Sequence, residues 1–94
     1  MDVPDHARSA KAQADTRALA NAVKVYRSHM QRLPASLEDL TQPARNSRGQ
    51  TLDPLLHLLP AAPAGYTPYR YERRADGTFT VSTVGHRKQE IKAP

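Results

Sequence analysis

The sequence contains no cysteine and no tryptophan, a single phenylalanine and only four glycines. The lack of cysteine removes disulfides, thiolate metal ligands and thiol nucleophiles together. It leaves the compartment open, because many exported proteins carry no cysteine. With one Phe, four Tyr and an apolar fraction of 38% in 94 residues, the chain can bury only a modest core, and part of it is expected to rely on partners. No apolar run approaches the ~18 residues that a membrane-spanning helix needs. No signal-peptide pattern is present, and Met1-Asp2-Val3-Pro4 reads as an arbitrary start.

The chemistry-bearing motifs are missing as well. There is no Gly-rich phosphate loop and no nucleophile elbow. His6, His29, His57 and His86 are too far apart in sequence to form a helical metal-binding pair. Asp15, Glu38, Asp39, Asp53, Glu72, Asp76 and Glu90 are scattered, and the adjacent Glu38-Asp39 fit a helix start. Ser82 and His86 lie four apart, but nothing marks a third triad member or an oxyanion hole. The reading is therefore of a protein that is not an enzyme, with no catalytic residues, no metal ligands and no cofactor.

What the chain does have is length for one small domain and an excess of positive charge. Charged residues make up 24%, which fits an ordered protein, and 14 Lys and Arg stand against 9 acids for a net charge of +5. That charge admits nucleic acid or an anionic surface as a partner. Tyr66, Tyr69 and Tyr71 interleave with Arg70, Arg73 and Arg74, as a base-stacking and phosphate-binding surface would. Strict alternation favours the plainer reading, with Tyr69 and Tyr71 on one strand face and Arg70 on the other.

From Asp5 to Leu33 there is no Pro and no Gly, and helix formers dominate, so a long helix over 5–33 is predicted. Pro34 would end it. At 1.5 Å per residue it would reach roughly 40 Å. Leu19, Val23, Tyr26, Met30 and Leu33 form one narrow apolar stripe. Traced backwards the stripe meets only Thr16 and Ala12, and the remaining alanines are Ala7, Ala10, Ala14 and Ala18. The C-terminal half should pack on a core. The N-terminal half should project or meet another chain, unless it is a surface helix with a frayed start.

A helix-and-loop region is expected over 34–65. Ser36 would cap a short helix, with Asp39 at its third position. A polar loop runs from Thr41 to Thr51, and a helical turn is expected among Leu52, Leu55, Leu56, Leu58 and Leu59. Residues 66–85 read as a β-hairpin. It would turn at Ala75-Asp76-Gly77, with Phe79 and Val81 on one face of its second strand. Residues 86–94 read as a flexible tail. The layout is α+β, a long N-terminal helix packed on a small antiparallel sheet.

The run from Ala12 to Arg27, with Asp15, Arg17, Leu19-Ala-Asn-Ala, Val23 and Tyr26, resembles the pseudopilins of type II secretion, especially the major one. Leu33-Pro34 leading into Ser36-Leu-Glu-Asp-Leu40 is similar to their next step. Leu59-Pro60-Ala-Ala-Pro63-Ala-Gly65-Tyr66-Thr-Pro68-Tyr69 resembles the family's Leu-Pro, Asp-Pro-Trp-Gly-Asn-Pro-Tyr segment. Thr80-Val81-Ser82-Thr83-Val84-Gly85 resembles its strand ending in Ser-Leu-Gly. The likeness covers most of residues 7–85.

This resemblance implies a pilin-like soluble domain, 1–94, and a structural subunit of a pseudopilus or pilus-like filament. It implies an inner-membrane helix preceding this segment in the full-length protein, with the present domain outside the cytoplasm. Its partners would be further copies, other pseudopilins and the inner-membrane platform of the secretion system. The expected filament interface is Ala10, Ala14, Asp15, Arg17 and Ala18, with small side chains permitting close approach and charges setting register. The alternative is a basic nucleic-acid-binding module or a DNA-uptake pilin. The chain departs from the family pattern in places. Ala64 stands where the family often has Trp, and Ala62 replaces Asp before Pro63. After Gly85 the family offers carboxylates for calcium, whereas here stand His86-Arg87-Lys88. Calcium prefers several oxygen ligands, so that site is not carried over.

Overall fold

The computed structural model describes residues 5–85 and 88–94. One helix, α1 (Asp5–Met30), is followed by a short 3-10 helix (Leu37–Thr41). Two two-residue strands come next, β1 (Ala44–Arg45) and β2 (Thr51–Leu52). Then come β3 (Arg70–Arg73), β4 (Phe79–Val84) and β5 (Glu90–Ala93). The predicted α+β layout, a long N-terminal helix with small antiparallel sheets, is what the structure has. Contacts cluster in two compact units. One holds Met1–Ala20 with Pro60–Pro94, and the other holds Asn21–Leu59.

In the first unit β3, β4 and β5 form an antiparallel sheet in that order. Register pairs Tyr71 with Val81 and Val81 with Ala93 on the inner face, and Arg70 with Ser82 and Ser82 with Lys92 on the outer face. Alternation along β4 follows directly, with Phe79, Val81 and Thr83 buried between half-buried neighbours. Ile91 and Ala93 of β5 are also buried. From α1, Ala12, Thr16, Leu19 and Ala20 are buried. Burying a side chain such as Leu19 contributes about 1.5–3 kcal/mol. The hairpin forms where alternation placed it, and Gly77 sits at φ +87 in the turn after Asp76.

Two expectations for this unit change. The stretch 86–94 is not wholly a flexible tail, because Glu90–Ala93 pairs with β4 as its third strand. His86 and Arg87 of that stretch lie outside the described residues. The N-terminal half of α1 is also less independent than its composition suggested. Ala12 and Thr16 are completely buried, so a methyl and a threonine suffice to seat these turns.

In the second unit Ala22, Val23, Tyr26 and Met30 of α1 are buried together with Pro34, Leu37 and Leu40. The helix stops at Met30, three residues before the predicted Leu33. Gln31 takes a left-handed φ of +62, and its N–H donates to the Arg27 carbonyl at 2.8 Å, the hydrogen bond of an αL helix end. Its side-chain amide also donates to the Ser28 carbonyl at 2.8 Å. The side chain thereby supplies an ending that Pro34 alone would have placed later. Ser36 precedes the 3-10 helix without a side-chain capping bond, and Asp39 accepts the Ala35 N–H instead.

The leucine cluster is not helical. The amides of Leu55 and Leu56 both donate to the Leu40 carbonyl, at 2.9 and 3.0 Å, so neither closes a turn of its own. Leu58 is largely exposed. The supposed polar loop folds back on itself, with Ala44 opposite Leu52 and Arg45 opposite Thr51. Asn46 holds that turn through bonds from the Arg48 and Gln50 amides to its Oδ1.

Candidate functional site

The first five turns of α1 have two unlike faces. At 3.6 residues per turn, Ala7, Ala10, Ala14 and Ala18 fall within an arc of about 80°, and Ala12, Thr16 and Leu19 lie on the opposite side. The four alanines of the first group are exposed and the three residues of the second are buried. Asn21 and Val25 follow at helical spacing and are exposed as well. Val25 is one of two large apolar side chains exposed among the described residues. This arc is small and uncharged, with the exposed Lys11 and Arg17 at its two edges. Two helices can approach closely across such side chains.

The expected interface residues divide. Ala10, Ala14, Ala18 and Arg17 are exposed. Arg17 also borders an open groove of about 300 Å³ shared with Gln13, Thr16 and Gln89 to Lys92. Asp15 is only partly exposed and engaged within its own unit. Its Oδ2 accepts 2.5 Å hydrogen bonds from Lys11 Nζ and from the Tyr69 hydroxyl. Lys11 Nζ continues to the Ala61 carbonyl at 2.7 Å. Burial, and then the hydrogen bond to Asp15, push the Tyr69 phenol well above the usual tyrosine range. Asp15 therefore ties α1 to the segment before β3. Fifty-four residues separate Asp15 from Tyr69, and no local pattern signals their meeting.

The tyrosines that interleave with arginine are spent internally. Tyr66 lies against Gly85, Tyr69 reaches Asp15, and Tyr71 meets Phe79 with ring centroids 6.2 Å apart. Arg74 is held by Glu72, Thr78 and Thr80, while Arg70 and Arg73 are exposed. The hairpin thus alternates as expected, with Tyr71 toward Phe79 and Arg70 outward. Among the described residues no group of three or more His, Asp or Glu side chains is gathered as a metal site. The contact of Tyr66 with Gly85 was not anticipated. A glycine closing a strand was the available signal, since such positions mark close approach.

One long N-terminal helix followed by small antiparallel sheets is the α+β arrangement of a pilin-like fold. The family model for type II secretion system protein G matches residues 1–92. The chain belongs to that family. It is a type II secretion pseudopilin by family, and the family is one of structural, non-enzymatic subunits that assemble with other pseudopilins. No curated protein matches the chain, and no solved structure matches it. Among the described residues no helix of this pseudopilin is long and apolar enough to cross a membrane.

Proposed function

We propose that this chain is a structural subunit of a pseudopilus filament in type II protein secretion, without enzymatic activity of its own. Neighbouring copies approach along the outward face of α1. One observation carries the reading: Ala7, Ala10, Ala14 and Ala18 are exposed on the side of the helix opposite its buried residues. A face of methyl groups gains little from solvent, yet it lets another helix come near with small loss of side-chain entropy. Arg17 beside this face is free to choose among partners by charge. Asp15, held by Lys11 and Tyr69, keeps α1 in place rather than reaching outward.

In this reading the full-length protein is anchored in the inner membrane and the present domain lies in the periplasm. Other pseudopilins and the inner-membrane secretion platform are its partners.

The test places bulk on the outward face. Ala10→Trp and Ala14→Trp in the full-length chain should abolish filaments seen by electron microscopy and should stop secretion. The isolated domain should keep its melting temperature. Normal filaments from both variants would overturn the proposal.

A further inference from the structure

The family resemblance brings with it calcium after Gly85, and the residues present do not fit that ion. Calcium takes about 6–8 oxygen ligands, with carboxylates supplying the charge. Between Gly85 and Pro94 the sequence offers one carboxylate, Glu90, against Arg87, Lys88 and Lys92. Glu90 faces Lys92 on the outer side of the sheet, with Oε1 3.8 Å from Nζ. The other carboxylates with described contacts in this unit are committed elsewhere. Asp15 holds Lys11 and Tyr69, Glu72 holds Arg74, and Asp76 accepts from Thr78.

The end of β4 is fixed by other means. The Tyr66 ring lies so close to Gly85 that a β-carbon there would stand 2.5 Å from Cζ and 2.8 Å from Cδ2. Beside it, the Thr67 N–H donates to the Val84 carbonyl at 2.9 Å, and the Val84 N–H donates to Thr67 Oγ1 at 2.9 Å. Thr83 Oγ1 donates to the Thr67 carbonyl at 2.6 Å. The Gly85 N–H donates to the Gln89 carbonyl at 2.7 Å. These bonds pin Thr83, Val84 and Gly85 using backbone and hydroxyl groups alone.

We propose that this clamp of Tyr66 and Thr67 on Val84 and Gly85 takes the place of calcium in fixing the end of β4. The domain then folds and keeps its stability without a divalent cation. The inference uses membership of the family and not the filament reading, so a failure of assembly leaves it standing.

The experiment is a thermal melt of the isolated 94-residue chain in excess CaCl2 and in EGTA, with amide exchange followed at Val84 and Gly85. A ligand bound to the native state raises the melting temperature by mass action. The expected result is one melting temperature in both solutions. Tyr66→Ala and Thr67→Val should each lower it by several degrees and speed exchange at Val84. Tyr66→Phe, which keeps the ring, should match the parent. If Tyr66→Ala does not fold, Thr67→Val and Tyr66→Phe still carry the comparison. A saturable rise in melting temperature with calcium would overturn the proposal. So would parental exchange at Val84 in the Thr67→Val protein.

Discussion

Tyr69 donates its phenolic hydrogen to Asp15 at 2.5 Å, joining the start of the sheet to the middle turns of α1. Lys11 shares the same carboxylate oxygen, and because that pair is half exposed it contributes only about 0.3–0.5 kcal/mol as an i,i+4 contact. The tyrosine bond is the larger contribution, since a hydrogen bond to a charged group gives about 1.5–3 kcal/mol when well shielded. Tyr69→Phe should therefore cost about 1–2 kcal/mol, measured by urea unfolding.

The same contact sets an alkaline limit. The folded state holds the Tyr69 proton more tightly than the unfolded chain does, first because of burial and then because of Asp15. An unfolded tyrosine releases its proton near pH ~10. Below that value the stabilisation is complete, and above it stability falls as the unfolded chain gains by ionising. Unfolding free energy measured from pH 8 to 11 should decline less steeply in Tyr69→Phe than in the parent. Parallel curves would count against this account.

The two faces of α1 give a paired prediction. Ala12 has no exposed surface, so Ala12→Leu forces extra methylenes into a filled site at a cost of about 1–3 kcal/mol. Ala14 is exposed, and Ala14→Leu should change the stability of the isolated domain by no more than about 0.5 kcal/mol. Denaturant midpoints of the two variants would check this directly. Equal losses would mean that the helix is turned differently from the structure described.

Much of this arrangement was legible from the residues. The stripe from Leu19 to Met30 fixes which side of the second half of α1 is buried. Traced back it meets only Ala12 and Thr16, side chains too small to mark a core face, and their burial appears only in the structure. Strict alternation in Phe79–Val81 and the Asp76-Gly77 turn give the hairpin. What escaped depends on partners distant in sequence or on signals too short to read. Glu90–Ala93 alternates over only four residues among charges, and only its register with β4 makes it a strand. The β1 and β2 strands are two residues each. The leucines after Pro54 look like a helical turn until the Leu40 carbonyl takes two of their amides. Of the candidate interface, Ala10, Ala14 and Ala18 stand out in the sequence only as small side chains, and their common exposed side appears in the structure. The inward commitment of Asp15 was not legible, because Tyr69 lies in a different element.

Gly77 should be intolerant of a side chain for a conformational reason. Its φ of +87 lies in the region that L-residues avoid, and no atom crowds the position. Gly77→Ala therefore tests strain alone and should cost about 1–2 kcal/mol. Gly77→Asn should cost less, because asparagine tolerates left-handed backbone. Thermal melts of the pair would show that order.

The third strand supplies the last prediction. Ile91 is 7% exposed and pairs with Thr83 on the inner face of the sheet, next to Val81 and Ala93. A side chain in a loose tail could be truncated at no cost. In β5, Ile91→Ala should cost about 2–4 kcal/mol through lost burial and the cavity left behind. Lys92 lies on the outer face with most of its side chain exposed. Lys92→Ala should stay within about 0.5 kcal/mol. Urea unfolding of both variants, with amide exchange followed at Thr83, separates the alternatives. An Ile91→Ala protein as stable as the parent would return residues 90–94 to the status of a tail and remove the third strand from the fold.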